Sequence, residues 1–324
     1  MSKTMLRKGI ACCIAAGMAV VPLAACDPAS VATDAVKTAA VDPVASVAQP
    51  QQAYAGSAAV STSSVYSTFT DSAAQDFDGI KVDTSHASEG YVGVKGTSGN
   101  RLKVQVKLDE TYNYDLSTDG KANFYPLNQG DGTYTITVFR NVSDSRYAEV
   151  AQTTVDVKMT NDYQPYLHNT LYVNYSSSSK LVKKAKSLTK KKKTDTKKVA
   201  AIYKWLTKKI KYDYNKAKTV ESGYIPDPNA TFKSKKGICF DFASLAAAMM
   251  RSQGIPCRLI TGYVAPNDVY HSWNMIYVQK KGWISKEIKA SNNKWGRIDV
   301  TYAATGADAK FVGNGKNYVT RYTY

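Results

Sequence analysis

From Gln75 to Met159 apolar and polar residues alternate with a period of two, in short runs broken by turn residues. Tyr91-Val92-Gly93-Val94, Leu102 to Val106, Tyr112-Asn113-Tyr114, Tyr134 to Phe139 and Val150 to Val157 are such runs. Ser98-Gly99-Asn100, Asp119-Gly120 and Gly130-Asp131-Gly132 separate them. Alternation sends every second side chain to the same face, so each run reads as a half-buried strand. About seven such strands over some 85 residues predict an immunoglobulin-like β-sandwich across 75–160. After Ser176 the period changes. Val199, Ile202, Leu206 and Ile210 recur at helical spacing beside Trp205, and Thr194 or Asp195 stands where an N-cap belongs. An apolar, Ala- and Met-rich stretch runs from Cys239 to Arg251 and stops before Gly254 and Pro256, as a buried helix does. Strand patterns follow at Arg258 to Val264, His271 to Val278, from Gly282, and Trp295 to Val300. This order predicts an α+β domain behind an all-β one.

The first 74 residues fit neither period. Residues 1–25 open with Lys3, Arg7 and Lys8 and continue apolar to Ala25. That is the order of an export signal, shorter than the ~20 apolar residues of a confident membrane span. It ends in Leu23-Ala24-Ala25-Cys26, which resembles the lipobox of bacterial lipoproteins. The resemblance implies cleavage before Cys26, acylation of that residue, and an extracytoplasmic protein lipid-anchored to the bacterial cell membrane. An ordinary secretion signal or an uncleaved anchor is the alternative. Each buried methylene of a lipid chain adds about 0.8 kcal/mol, so multiple acylation anchors firmly. Residues 26–74, mostly Ala, Ser, Val, Thr and Gln, predict a disordered tether. A few ordered turns around Val65 to Phe69 are the alternative there.

At 324 residues and 44% apolar content the chain can build more than one core. Its formal charge of +17 suggests a nucleic-acid binder until the charge is located. Between 180 and 218 stand sixteen lysines against Asp195 and Asp213, an excess of fourteen. Loss of residues 1–25 removes three positive charges, so everything outside that basic segment is neutral overall. A helical pair with a solvated lysine face is the plain reading. Attraction to an anionic wall polymer or to lipid headgroups is the sharper one, at about 1 kcal/mol per lysine near such a surface. No nucleic acid is expected, because no nucleic-acid-binding motif accompanies the lysines. Of five cysteines, Cys12, Cys13 and Cys26 belong to the leader and lipobox, which leaves Cys239 and Cys257. Those two with one nearby histidine fall short of the four ligands of a structural zinc site, so no metal is expected.

Cys239 begins its helix, where unpaired backbone N–H groups and the macrodipole favour a thiolate and can face an oxyanion. A nucleophilic thiol needs a base, and that imidazole needs a carboxylate to fix its tautomer. His271, on the same strand face as Trp273 and Met275, and Asp299 on a later strand supply these types. A buried structural thiol at Cys239, or a Cys239–Cys257 disulfide, is the alternative. Cys257 reads as packing, His86 and His168 as packed or solvated, and Asp241 as a helix N-terminal charge.

Several motifs in correct order carry a resemblance to the transglutaminase-like superfamily over about 180–305. They are Gly237-x-Cys239 with its Ala/Met helix, Arg251-x-x-Gly254-Ile255-Pro256-x-Arg258, Gly262-Tyr263, His271-Ser272-Trp273, Gly282-Trp283 and Asp299-Val300-Thr301. The upstream Trp205-Leu206 and Ile210-Lys211-Tyr212-Asp213 are similar to that family's lead-in helix. The resemblance implies a papain-like α+β core without a cofactor. In it Cys239 attacks a carboxamide or peptide carbonyl, His271 shuttles the proton and Asp299 orients the histidine. The resulting thioester passes to water or an amine. Val300 stands where the family usually has proline. Trp273 and Trp283 are expected as cleft or core walls. The implied activity is a cell-envelope thiol acyltransferase or amidohydrolase, a cysteine peptidase or protein-glutamine acyltransferase acting on peptides or proteins. A non-catalytic surface module binding wall polymer or protein on the same fold is the alternative. The expected division is signal 1–25, tether 26–74, sandwich 75–160, basic helical linker 161–218 and catalytic core 219–324.

Overall fold

The computed structural model describes residues 65–283, 288–291, 294–306, 312 and 315–324. The signal, Cys26 and the tether up to residue 64 lie outside the described residues. No helix among the described residues is long and apolar enough to cross a membrane.

Eight strands build the N-terminal part: β1 (Gln75–Phe77), β2 (Ile80–Asp83), β3 (Tyr91–Gly96), β4 (Leu102–Lys107), β5 (Thr111–Leu116), β6 (Asn123–Pro126), β7 (Gly132–Ser143) and β8 (Arg146–Val157). They form two antiparallel sheets, ordered β1-β2-β3-β6 and β5-β4-β7-β8. The predicted alternation is visible in β4, where Leu102, Val104 and Val106 are buried and the residues between them are not. Inward side chains of the two sheets, such as Val82 and Val94 with Val104 and Ile136, share one core. Burial of a Val or Ile side chain contributes about 1.5–3 kcal/mol.

An ordered stretch around Val65 to Phe69, the alternative to a tether there, is what the structure describes. Residues 65–74, assigned to the tether, are packed on the body: Val65 is buried, and Ser67 bonds Asn169 through its N–H (2.7 Å) and its hydroxyl (2.6 Å). Attachment through hydrogen bonds leaves no hydrophobic period to read. The expected helical linker is also irregular at its start. Gln164–Tyr166 make a single 3-10 turn, and Tyr166, Leu167, Tyr172, Val173 and Tyr175 are buried. This stretch fills the junction between the two halves, with Tyr172 touching the rings of Tyr114, Phe240 and Tyr324.

The second half begins with α1 (Lys180–Thr189) and α2 (Asp195–Lys209). Thr194 caps α2, accepting from the Lys197 N–H at 3.3 Å. Val199, Ile202 and Leu206 turn fully inward, as their spacing predicts. Then come β9 (Lys211–Tyr212), α3 (Tyr214–Thr219), α4 (Pro228–Ser234), β10 (Lys236–Gly237) and α5 (Cys239–Arg251). All of α5 is buried, which is why it carries good helix formers without an amphipathic period. Beyond it lie β11 (Cys257–Val264), β12 (Val269–Val278), β13 (Gly282–Trp283), β14 (Lys289–Ala290), β15 (Lys294–Ile298), α6 (Val300–Thr305) and β16 (Tyr318–Thr323). The main sheet is antiparallel, ordered β15-β12-β11-β16. Asn274 donates to the Ala243 carbonyl at 3.0 Å and pins β12 to α5. Asp299 was expected within a strand reaching Val300. Instead β15 stops at Ile298 and Asp299 caps α6.

Candidate active site

Cys239 is the first residue of α5, reached through the extended Ile238. As an N1 residue its N–H has no partner within the helix, so it is available to an oxyanion. Antiparallel pairing places His271 of β12 opposite Gly262 of β11. Pairing of β12 with β15 brings Ile298 opposite Asn274, so the chain leaves the sheet at Asp299 beside the histidine strand.

His271 Nε2 lies 2.8 Å from Asp299 Oδ2. That leaves Nδ1 for sulfur, and the imidazole is hydrogen-bonded to the Cys239 side chain. Asp299 is wholly buried and fully engaged. Its Oδ1 accepts the Tyr302 N–H at 2.9 Å, and its Oδ2 also accepts the Tyr318 hydroxyl at 3.0 Å. The Tyr302 ring stacks on His271, with centroids 4.5 Å apart and planes at 19°. Burial by itself opposes a charged imidazole here. The Asp299 charge and hydrogen bond, joined by Cys239, outweigh it and raise His271 to about 10. The Tyr318 hydroxyl is pushed up by burial and by Asp299, so it stays a donor.

The structure therefore brings together the three residues expected to act, Cys239, His271 and Asp299. Trp273 is a core wall: it is 1% exposed, packs with Ile260, Val264 and Tyr318, and backs His271. The backbone of Trp283 forms part of β13, but its side chain lies outside the described part of the structure. Cys239 and Cys257 are both free, which removes the disulfide alternative. Burial pushes the Cys257 thiol up to about 12, in keeping with a packing role. His86 stacks on the Tyr91 ring, and His168 meets the same ring at a 50° tilt. Tyr302 and Tyr318 went unnoticed in the sequence, since nothing marks them among 23 tyrosines. Among the described residues no group of three or more His, Cys, Asp or Glu gathers into a metal site.

Residues 182–288 match the family model of the transglutaminase-like superfamily. Over this segment the chain is similar to transglutaminase-like domains. The segment contains Cys239 and His271, and Asp299 lies just past its end. The chain is 34% identical over 135 residues to a UPF0252 protein of Methanocaldococcus jannaschii, covering 38% of this chain and 38% of that protein. It is 31% identical over 72 residues to the uncharacterized protein YebA of Bacillus subtilis, covering 17% of this chain and 10% of that one. The match thus spans well under half the length of either curated relative. A candidate cysteine protease from Cytophaga hutchinsonii superposes with a TM-score of 0.38 at 16% identity, covering 72% of this chain and 79% of that one. In this chain a helix-borne thiol stands with an imidazole from β12 and a carboxylate at the cap of α6.

Proposed function

We propose that Cys239, His271 and Asp299 form the catalytic triad of a thiol acyltransferase or amidohydrolase acting on peptide or protein amides. One observation carries this reading: a single imidazole, with its charge supported by Asp299, bonds the thiol at a helix N-terminus. His271 takes the proton from the Cys239 thiol as the sulfur attacks the carbonyl carbon. The carbonyl electron pair moves to oxygen, faced by the Cys239 N–H. Its return expels the amine, which takes the proton from His271, and a thioester remains. His271 then deprotonates water or an acceptor amine, which attacks the thioester and restores the thiol. Hydrolysis makes the protein a peptidase or deamidase, and aminolysis makes it a cross-linker.

The export signal, the lipobox at Cys26 and the tether support a lipid-anchored protein at the outer face of a bacterial membrane. Among the described ion pairs only Lys198 and Lys216 of the sixteen lysines meet a carboxylate. The others support attraction to an anionic envelope polymer or lipid headgroups, weakened by salt. Setting β1 aside, the neighbours β2-β3-β6 and β5-β4-β7-β8 support an immunoglobulin-like sandwich with A-B-E and C′-C-F-G order.

A non-catalytic binding module on the same fold is favoured by one feature, the closure of the site. Cys239 and His271 are only 4% and 5% exposed. Alkylation of Cys239 by iodoacetamide from pH 5 to 9, compared with His271→Ala, decides between the two. Fast labelling well below the ordinary thiol pKa of about 8.5, lost in the variant, is the expected result. Slow labelling with an ordinary thiol profile would leave the binding module.

A further inference from the structure

Asp241, two residues past Cys239, does more than charge a helix end. It is wholly buried, and every acceptor site it offers leads somewhere specific. Oδ2 accepts the Ile238 N–H at 2.9 Å and Lys216 Nζ at 2.7 Å, while Oδ1 accepts the Tyr224 hydroxyl at 2.6 Å. Lys216 also donates to the Tyr224 hydroxyl at 2.6 Å and lies 4.2 Å from the centre of its ring. The approach is so close that a Cβ on Gly237 would stand 2.5 Å from Asp241 Cβ. One side of the carboxylate thus grips the turn Gly237-Ile238-Cys239. The same oxygen also meets Lys216 and the other meets Tyr224, both side chains from a separate segment, α3 and the loop after it, in which α3 itself buries no residue.

We propose that Lys216 and Tyr224 are positioning residues for the nucleophile. They hold Asp241, Asp241 holds the Ile238 N–H, and this fixes the direction of the Cys239 sulfur and N–H. The proposal rests on Cys239 being the nucleophile. A buried carboxylate that loses a donor turns toward the donors that remain, because an unsatisfied charge in the interior is costly. Here that rotation releases the first turn of α5. Misplacement of a reacting atom by about 1 Å costs about 100-fold in rate. Burial and Asp241 both push the Tyr224 hydroxyl above its ordinary value, so it remains a donor throughout the working range.

The test uses the full-length protein and the variants Tyr224→Phe, Lys216→Met, Lys216→Arg and Asp241→Asn. Three readouts are needed: iodoacetamide alkylation of Cys239 from pH 5 to 9, hydrogen exchange at the Ile238 and Cys239 amides, and thermal melting. Tyr224→Phe and Lys216→Met are expected to melt within a few degrees of wild type. They should label at least about tenfold more slowly at every pH, with exchange at Ile238 about tenfold faster. Arginine at 216 should recover part of the rate. Where Asp241→Asn does not fold, Tyr224→Phe decides, since it removes only one oxygen. Wild-type labelling in Tyr224→Phe and Lys216→Met overturns the proposal, whatever their melting temperatures. If wild type itself labels slowly and independently of His271, the catalytic reading falls and this proposal falls with it. Fast wild-type labelling that the variants share sinks the positioning role alone.

Discussion

His271 and His168 are buried alike, at 5% and 3% exposed, yet they titrate in opposite directions. Burial dominates at His168, whose ring nitrogens have no hydrogen-bond partner, and lowers it to about 4. At His271 burial also lowers, but the Asp299 charge and hydrogen bond together with Cys239 outweigh burial and raise the imidazole to about 10. An unfolded histidine titrates near 6.5. His271 therefore stabilises the fold fully below about pH 6.5 and loses that contribution as pH rises through about 10. His168 acts on the acid side: the unfolded chain binds a proton between about pH 6.5 and 4 that the folded chain refuses. Stability should fall across that window by up to ~3 kcal/mol. His168→Phe removes both the orphaned nitrogens and the proton. We expect it to melt at or above the wild-type temperature at pH 7 and to flatten the pH 4–6.5 slope, as followed by thermal unfolding. An unchanged slope would assign acid sensitivity elsewhere. Sequence gave His168 no such role, because what matters is the missing partners rather than the residue type.

At the scale of elements, legibility followed length and period. Helix α5 and strands β11 and β12 are long enough for their patterns to show, and they carry Cys239 and His271. Helix α6 was hidden because it is a six-residue element opening with the β-branched Val300 and Thr301 directly after a strand. Asp299 was thus recognised as a chemical type while its role as a cap was not, and the same bond that caps the helix orients the carboxylate. The β1 and β2 strands were missed for their shortness, and the residues between them, Asp78 and Gly79, turn through positive φ. Gly262 makes a sharper demand. A Cβ there would lie 2.0 Å from the Val319 carbonyl oxygen, at the register shift between β11 and β16. Gly262→Ala should cost about 1–3 kcal/mol, the usual range for overpacking. Because β16 delivers Tyr318 to Asp299, it should also slow Cys239 alkylation. Thermal unfolding and labelling on one sample check both effects. Lost stability with unchanged labelling would separate β16 from the site.

Across the whole molecule the two halves do not read as beads on a string. The passage from an all-β part to an α+β part was legible from the change of period, but the contact between them was not. It is made by linker residues such as Tyr166, His168 and Tyr172 together with residues of both halves. Arg251, wholly buried, donates to the carbonyls of His168, Cys257 and Tyr324 at 2.9 Å each. Arg258 lies over the rings of Tyr166 and Trp295 at 4.7 and 3.9 Å. Tyr112 and Tyr114 of β5 meet Tyr324 edge-on. A fragment beginning at residue 176 would strip Tyr166 and Tyr172 from these contacts and expose Phe240 and Tyr324. We expect such a fragment to be aggregation-prone and to lack a cooperative melt, in contrast to the full-length chain. A sharp, reversible transition in the fragment would show that the second half folds alone.

The hydroxyl of Tyr318 on Asp299 also has a bearing on biosynthesis. The ribosome delivers Cys239 well before it delivers Tyr318, and β16 must find its place against β11 before the carboxylate gains that donor. A nascent or partly threaded chain thus carries its thiol with the acid partner only half secured.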